Sequence, residues 1–138
     1  YIFRSHNLNM YRALSTAIQN GLIQTAHDCS EGGVAVAVAE MCIGGRIGAT
    51  IDLDGTGDED LWARMWGESL GRFIVAVTPE KEHEFTKWMA GHPLTILGEV
   101  VEDSTLTIND GFTQVSTNDV SALVHSWQST LDMTGGVE

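Results

Sequence analysis

Residues 26–41 read AHDCSEGGVAVAVAEM, from Ala26 to Met41, and the reading of this stretch decides the fold. Val34 to Ala39 alternate valine and alanine, a period that fits a strand within an unbroken apolar run that fits a buried helix. Three features favour the helix. Alanine is the strongest helix former, the run ends on Glu40-Met41, and Gly44-Gly45 supplies a carboxy-terminal stop. Ser30 or Gly32 opens it. A short strand is expected before it, over Leu22 to Ala26, followed by the polar, glycine-ended connection His27 to Gly33. Strand, polar turn and buried helix in succession belong to layered domains that mix the two kinds of element.

Upstream, Met10, Leu14, Ala17 and Ile18 recur at helical spacing and Asn20-Gly21 stops them, so a helix is expected over about residues 8–20. Downstream, Ile47, Ala49, Ile51 and Leu53 alternate with Gly48, Thr50 and Asp52, the pattern of a half-buried strand over Arg46 to Leu53. In the turn at residues 54–60, DGTGDED, Asp58, Glu59 and Asp60 precede a helix through Leu61, Met65 and Trp66, where acids complement the macrodipole. The run lacks the spaced ligands of a calcium loop. The turn at residues 67–72, GESLGR, leads into the apolar strand FIVAV, and Pro79 then opens a helix through Phe85, Trp88 and Met89 that Gly91 ends.

Strands are expected over Thr95 to Val101, Thr105 to Ile108 and Phe112 to Val115, the last two joined at Asn109-Asp110-Gly111, a hairpin signal. Asn118 or Thr117 caps a final helix carrying Val120, Leu123, Val124, Trp127 and Leu131, and residues 133–138 read as a frayed tail. Helices and strands alternate first and a β-meander follows. The expected fold is α+β, one layered domain over residues 1–138 in which helices cover a mixed β-sheet.

The chain has 138 residues, 43% of them hydrophobic, enough for one core. Nineteen acidic residues against seven basic ones leave a formal charge of −12, so a groove tracking a nucleic-acid backbone would work against its own field. No apolar run reaches the roughly 18 residues that span a bilayer, and the first residues have no signal-peptide core. Neither nucleic acid nor membrane is an expected partner, and the cytoplasm is the expected compartment. Cys29 and Cys42 stand 13 positions apart outside any CxxC pattern, which points to free buried thiols. Tyr1 is not an initiator methionine, and the chain is expected to be part of something longer.

Two segments place polar groups and glycines at strand ends, where open sheets build their sites. In the first, His27 and Asp28 project from the strand while Gly32 and Gly33 allow close approach of backbone N–H groups to a ligand. Ser30 capping the helix with Glu31 beside it accounts for the same residues structurally. In the second, Glu68 and Ser69 lie between Gly67 and Gly71, and a carboxylate there can bind a metal, accept from a ribose hydroxyl or cap N–H groups. Arg72 can hold a phosphate bidentately or pair with Glu68. Turn geometry alone also explains these glycines. His83 and His92 read as surface residues, and the four tryptophans as core or interface anchors, with Trp62 and Trp66 on one helix face. No Walker A or GxGxxG pattern is present.

The stretch at 26–41, the segment WGESLGRFIVAV about 25 residues further on, and the LGEV segment with the final helix together resemble one family. It is the carboxy-terminal domain of the synthetase subunits of formylglycinamide ribonucleotide amidotransferases, in the superfamily of aminoimidazole ribonucleotide synthetase. The resemblance covers nearly the whole chain. It implies a ligase that converts formylglycinamide ribonucleotide, ATP and ammonia to the amidine, ADP and phosphate with magnesium. Ammonia comes from a glutaminase subunit, and a small accessory subunit completes the assembly.

The resemblance is to the second of two tandem halves, in which the nucleotide site is structural in part of the family. It departs at Leu70, where many relatives carry Gln, so a substrate contact by Glu68, Ser69 and Leu70 is not implied. What it implies for this chain is a nucleotide-binding, phosphate-binding or domain-interface role for His27, Asp28, Ser30, Glu31, Gly32, Gly33, Gly67, Glu68, Ser69 and Arg72. No catalytic or metal residue is expected here, and no cofactor is expected for the domain alone.

Two other readings stay open. One is the same domain in a selenophosphate synthetase or an aminoimidazole ribonucleotide synthetase. The other is a ligand-free module docking through Trp62 and Trp66. A patch of Trp62, Met65 and Trp66 would also favour a homodimer of the chain.

Overall fold

The computed structural model describes residues 5–57 and 60–129. Tyr1, Asp58, Glu59, Leu131 and the tail at 133–138 lie outside the described residues. In chain order the elements are α1 (Ser5–Gln19), β1 (Thr25–Asp28), α2 (Gly33–Gly45), β2 (Gly48–Asp52), α3 (Leu61–Trp66), β3 (Phe73–Ala76), α4 (Pro79–Trp88), β4 (Gly98–Val101), β5 (Thr105–Asp110), β6 (Thr113–Asp119) and α5 (Val120–Gln128).

The alternating valine–alanine run is helical. As α2 it buries Val34, Ala35, Ala37, Val38 and Cys42, and it touches α3, α5, β1, β2, β3 and β5. A helix surrounded on several sides needs apolar residues all round, which is why the run carries no amphipathic period of its own. Its last turn closes through the N–H groups of Arg46 and Ile47, both donating to the Cys42 carbonyl.

The strands form two sheets. A four-stranded mixed sheet has the order β4-β2-β5-β6, with β2 parallel to β5 and the other two pairs antiparallel. The expected mixed sheet under helices is therefore present. The expected meander is not, because β2 enters between β4 and β5. Ile51, Leu106 and Ile108 from this sheet, with Leu53 just past the end of β2, pack with Val34 and Val38 of α2 and Val120 and Val124 of α5 as the main core.

The second sheet is the antiparallel pair β1-β3. Beside it α1 and α4 bury Leu14, Ala17, Phe85 and Met89 around Leu22 and Ile23. Trp88 Nε1 donates to the Ala13 carbonyl at 3.0 Å and fastens the two helices.

Several boundaries differ from expectation for identifiable reasons. The first strand lies over 25–28 instead of 22–26, because Leu22 and Ile23 are buried against the helices before pairing with β3 begins. Strand β2 starts at Gly48, leaving Ile47 on the surface, and β4 starts only at Gly98. Asn109 and Asp110 extend β5, so the hairpin turns at Gly111 and Phe112. Thr117 and Asn118 likewise belong to β6, and Asp119 caps α5 by accepting from the Ser121 N–H at 2.7 Å. Asp60 caps α3 as expected, accepting from Ala63 N–H at 3.0 Å. All four tryptophans are solvent-exposed, which removes the core reading, and Met65 is buried, so it is no part of a surface patch with Trp62 and Trp66.

Candidate functional site

Pairing of β1 with β3 sets Asp28 opposite Phe73 and His27 opposite Ile74. The turn after β1 and the turn before β3 therefore meet at one end of the small sheet. The Cys29 N–H donates to the Arg72 carbonyl at 3.0 Å, continuing the pairing one step past the strands.

Glu68 then reaches across. Its Oε1 accepts from the Gly32 N–H at 3.0 Å, at the amino-terminal end of α2. Gly32 is the cap residue of α2 and has no side chain of its own to satisfy that end, so a carboxylate from the other turn does so. Of the two expected openings, Ser30 or Gly32, it is Gly32 that caps the helix. The Ser30 hydroxyl instead donates to Asp28 Oδ2.

The two turns and α1 enclose a cleft of about 690 Å³. Asp28, Ser30 and Glu31 form one rim, Glu68 and Arg72 the other, and Tyr11, Leu14, Ile18, Leu70 and Phe73 supply an apolar wall. Tyr11 and Phe73 meet edge to face, ring centres 5.8 Å apart. A smaller recess of about 340 Å³ lies behind the rim, where His27, Asp28, Ser30 and Glu31 face Val36, Ala37 and Glu40 of α2. His27 belongs to both. Its Nδ1 stands 2.7 Å from the Asp28 carbonyl oxygen and its Nε2 3.2 Å from Glu40 Oε2.

The Ser30 hydroxyl, followed by a backbone hydrogen bond, holds the Asp28 carboxyl below its ordinary range. Burial pushes the Cys29 thiol up, with Arg72 partly offsetting it, and burial does the same to Cys42. Both cysteines are free and buried, as expected.

Of the expected site residues, His27, Asp28, Ser30, Glu31, Glu68 and Arg72 line the cleft together. Gly32 sits at its edge with its N–H already engaged. Gly33 and Gly67 have another purpose. Gly33 has φ 63°, and a Cβ there would stand 2.8 Å from both the Met65 carbonyl oxygen and the Trp66 carbonyl carbon. At Gly67 a Cβ would fall 2.3 Å from the Ala63 oxygen. Gly33 lets α2 and the end of α3 touch backbone to backbone, and Gly67 lets the last turn of α3 close on its own Ala63 carbonyl.

Ser69 is exposed and does not line the cleft. The expected Arg72–Glu68 pair is not among the described ion pairs. His83 is exposed and His92 half-buried.

Residue patterns did not point to Tyr11, Leu14 and Ile18 as cleft walls, nor to Glu40 as the partner of His27. A signal for Glu40 existed, since it is the single carboxylate in an otherwise apolar helix. A comparable signal marks Arg64 in α3. Its guanidinium takes both carboxylate oxygens of Asp110 at 2.9 Å and donates to the Leu53 carbonyl at 3.0 Å, locking α3 to the β5–β6 hairpin.

Chemically the cleft offers three carboxylates, one guanidinium and an apolar wall. No group of three or more His, Cys, Asp or Glu side chains is placed to hold a metal among the described residues. Such a surface can close over a ligand or a protein face whose reacting groups are supplied from elsewhere.

Residues 6–111 match the family described as AIR synthase related protein, C-terminal domain. The PurL subunit of phosphoribosylformylglycinamidine synthase from Limosilactobacillus reuteri is 36% identical over 130 residues, covering 94% of this chain and 17% of that protein. Thermotoga maritima PurL complexed with ATP superposes with a TM-score of 0.74 at 25% identity, over 83% of this chain and 21% of the other. PurLQS from Thermotoga maritima gives a TM-score of 0.75 at 25% identity, over 86% and 21%. The chain thus spans about a fifth or less of the relatives it matches. On the extent of that match, and with the fold in agreement, the chain belongs to the AIR synthase related C-terminal domain family and is similar within it to the PurL subunits.

Proposed function

We propose that the chain is the carboxy-terminal domain of an ATP-dependent ligase that converts formylglycinamide ribonucleotide and glutamine-derived ammonia to formylglycinamidine ribonucleotide. In that enzyme it forms one wall of a cleft completed by other parts of the same polypeptide. The observation that carries the reading is the meeting of the two turns, 28–33 and 67–72, on one cleft in a chain whose relatives are PurL subunits. A relative complexed with ATP supports a nucleotide in the complete enzyme, and one described as PurLQS supports an assembly of several subunits. A glutaminase subunit and a small accessory subunit are the proposed partners, alongside the preceding domains, and the cytoplasm is the proposed compartment.

The ligase reaction requires the amide oxygen to be phosphorylated so that ammonia can displace phosphate, chemistry that rests on positioning and charge stabilisation. This chain contributes to positioning. Arg72 holds an anionic group on the cleft, Asp28 and Glu31 accept from hydroxyl or amide donors, and the Tyr11–Phe73 pair offers an exposed apolar surface beside them. The free N–H groups expected for a phosphate cradle are reduced by Glu68 on Gly32. Magnesium finds no matching ligand group among the described residues, and no step is assigned to it on this chain. The exposed Trp62 and Trp66 support a further contact with a neighbouring surface, a second copy of the chain included.

The test is ADP formation dependent on formylglycinamide ribonucleotide and ammonia. The complete protein carrying this domain turns over, while the purified 138-residue chain does not. Arg72→Ala in the complete protein lowers turnover at least about tenfold, the cost of one charged hydrogen-bonded contact, whereas His83→Ala leaves it unchanged. Turnover by the isolated chain, or equal rates for the two variants, would sink the proposal.

A further inference from the structure

The turn at 67–72 carries Arg72 on the rim of the cleft, and little fixes the turn there. At one end the Gly67 N–H donates to the Ala63 carbonyl, and at the other the Arg72 carbonyl accepts from the Cys29 N–H. Between them Ser69 is exposed and Leu70 is 96% exposed, so packing does not hold the middle of the turn. Among the described residues, the single hydrogen bond made from positions 68–71 is that of Glu68 Oε1, which accepts from the Gly32 N–H at 3.0 Å.

Glu68 stands four positions before Arg72, within the reach at which a carboxylate pairs with a guanidinium. It turns instead to the amino end of α2, where a free N–H and the helix dipole both favour a negative charge. Two consequences follow from that choice of partner. The turn is pinned to a helix whose first residues, Gly33 and Val34, are buried and fixed. Arg72 makes no ion pair among the described residues, which leaves its charge open to the cleft.

We propose that Glu68 is a positioning residue that acts through Arg72: its bond to Gly32 sets the turn and keeps the guanidinium uncompensated for an anionic group of the substrate. The anionic substrate rests on the proposed function. The tie between the two turns rests on the contact itself.

The experiment is a double-mutant cycle in the complete synthetase subunit, with Glu68→Ala, Arg72→Ala and the pair, and with Glu68→Gln beside them. It records kcat/KM for ADP formation dependent on formylglycinamide ribonucleotide, and amide hydrogen exchange of peptides covering residues 28–33. Glu68→Ala is expected to lower kcat/KM about tenfold, the scale of one charged hydrogen bond. Glu68→Gln recovers most of that loss, because the amide oxygen still accepts from Gly32. With Arg72→Ala already present, Glu68→Ala costs less than about twofold more, since residues acting as one unit are not additive. Exchange over 28–33 quickens in Glu68→Ala and slows again in Glu68→Gln. An equal fold-loss in both backgrounds overturns the proposal, since a merely structural cap behaves that way. Glutamine as damaging as alanine, or unchanged exchange in Glu68→Ala, overturns it as well. Absence of turnover in the unmutated subunit sinks the ligase reading and with it the action on substrate, while the exchange result still decides the tie.

Discussion

Gly33 illustrates how a residue that invites a ligand-binding reading can instead serve packing. Its positive φ is unfavourable for any residue with a Cβ, and that Cβ would meet the backbone of Met65 and Trp66. Gly33→Ala should therefore destabilise the chain by at least about 2 kcal/mol, from left-handed strain and overpacking together. Gly44 lies in the same helix, and nothing comes within 4 Å of where its Cβ would stand. Gly44→Ala should stabilise by roughly 0.5–1 kcal/mol through helix propensity. Denaturant midpoints of the two variants check the opposite signs; equal midpoints would remove the packing role given to Gly33. Glycine pairs look alike in a sequence, and only the neighbour at a given position separates these two effects.

Among the elements, the β5–β6 hairpin depends on Asp52, whose carboxyl is held below its ordinary value by the backbone N–H groups of Asp54 and Gly111. A depressed folded value means that this contribution is fully present above the ordinary aspartate value of about 3.9 and is lost as pH falls through the lower folded value. Asp119, lowered by its contacts with Ser121 at the start of α5, acts in the same direction. Asp52→Asn keeps an oxygen acceptor and should flatten the acid limb of stability from about pH 4 downward. Chemical unfolding midpoints measured across that range provide the check, and an acid limb identical to that of the unmutated chain would exclude Asp52 as a contributor. The caps were only partly legible: Asp60 opens α3 where acids precede a helical pattern, but Thr117 and Asn118 resemble caps and belong to β6 because the ladder to β5 continues to Asp119.

On the scale of the whole molecule, stability is distributed over two cores, the larger between the four-stranded sheet and helices α2 and α5, the smaller between α1, α4 and the β1–β3 pair. Leu53 is 1% exposed at the centre of the larger one, and Leu53→Ala should cost roughly 2–5 kcal/mol, measured by equilibrium denaturation. A loss well under 1 kcal/mol would mean that the site collapses freely around the missing atoms. The residues alone determined which segments are helices and which are strands, that helices cover a mixed sheet, and that two polar, glycine-bearing turns stand out. These properties are written in propensity, period and turn chemistry, which act over a few neighbouring residues. Only the tertiary structure decided that β2 lies between β4 and β5, that β1 and β3 form a sheet of their own, and that α1 walls the cleft. The same is true of Glu68 capping Gly32 across 36 positions and Arg64 locking Asp110 across 46. Such partners are chosen by three-dimensional proximity, about which a local period of two or 3.6 residues carries no information.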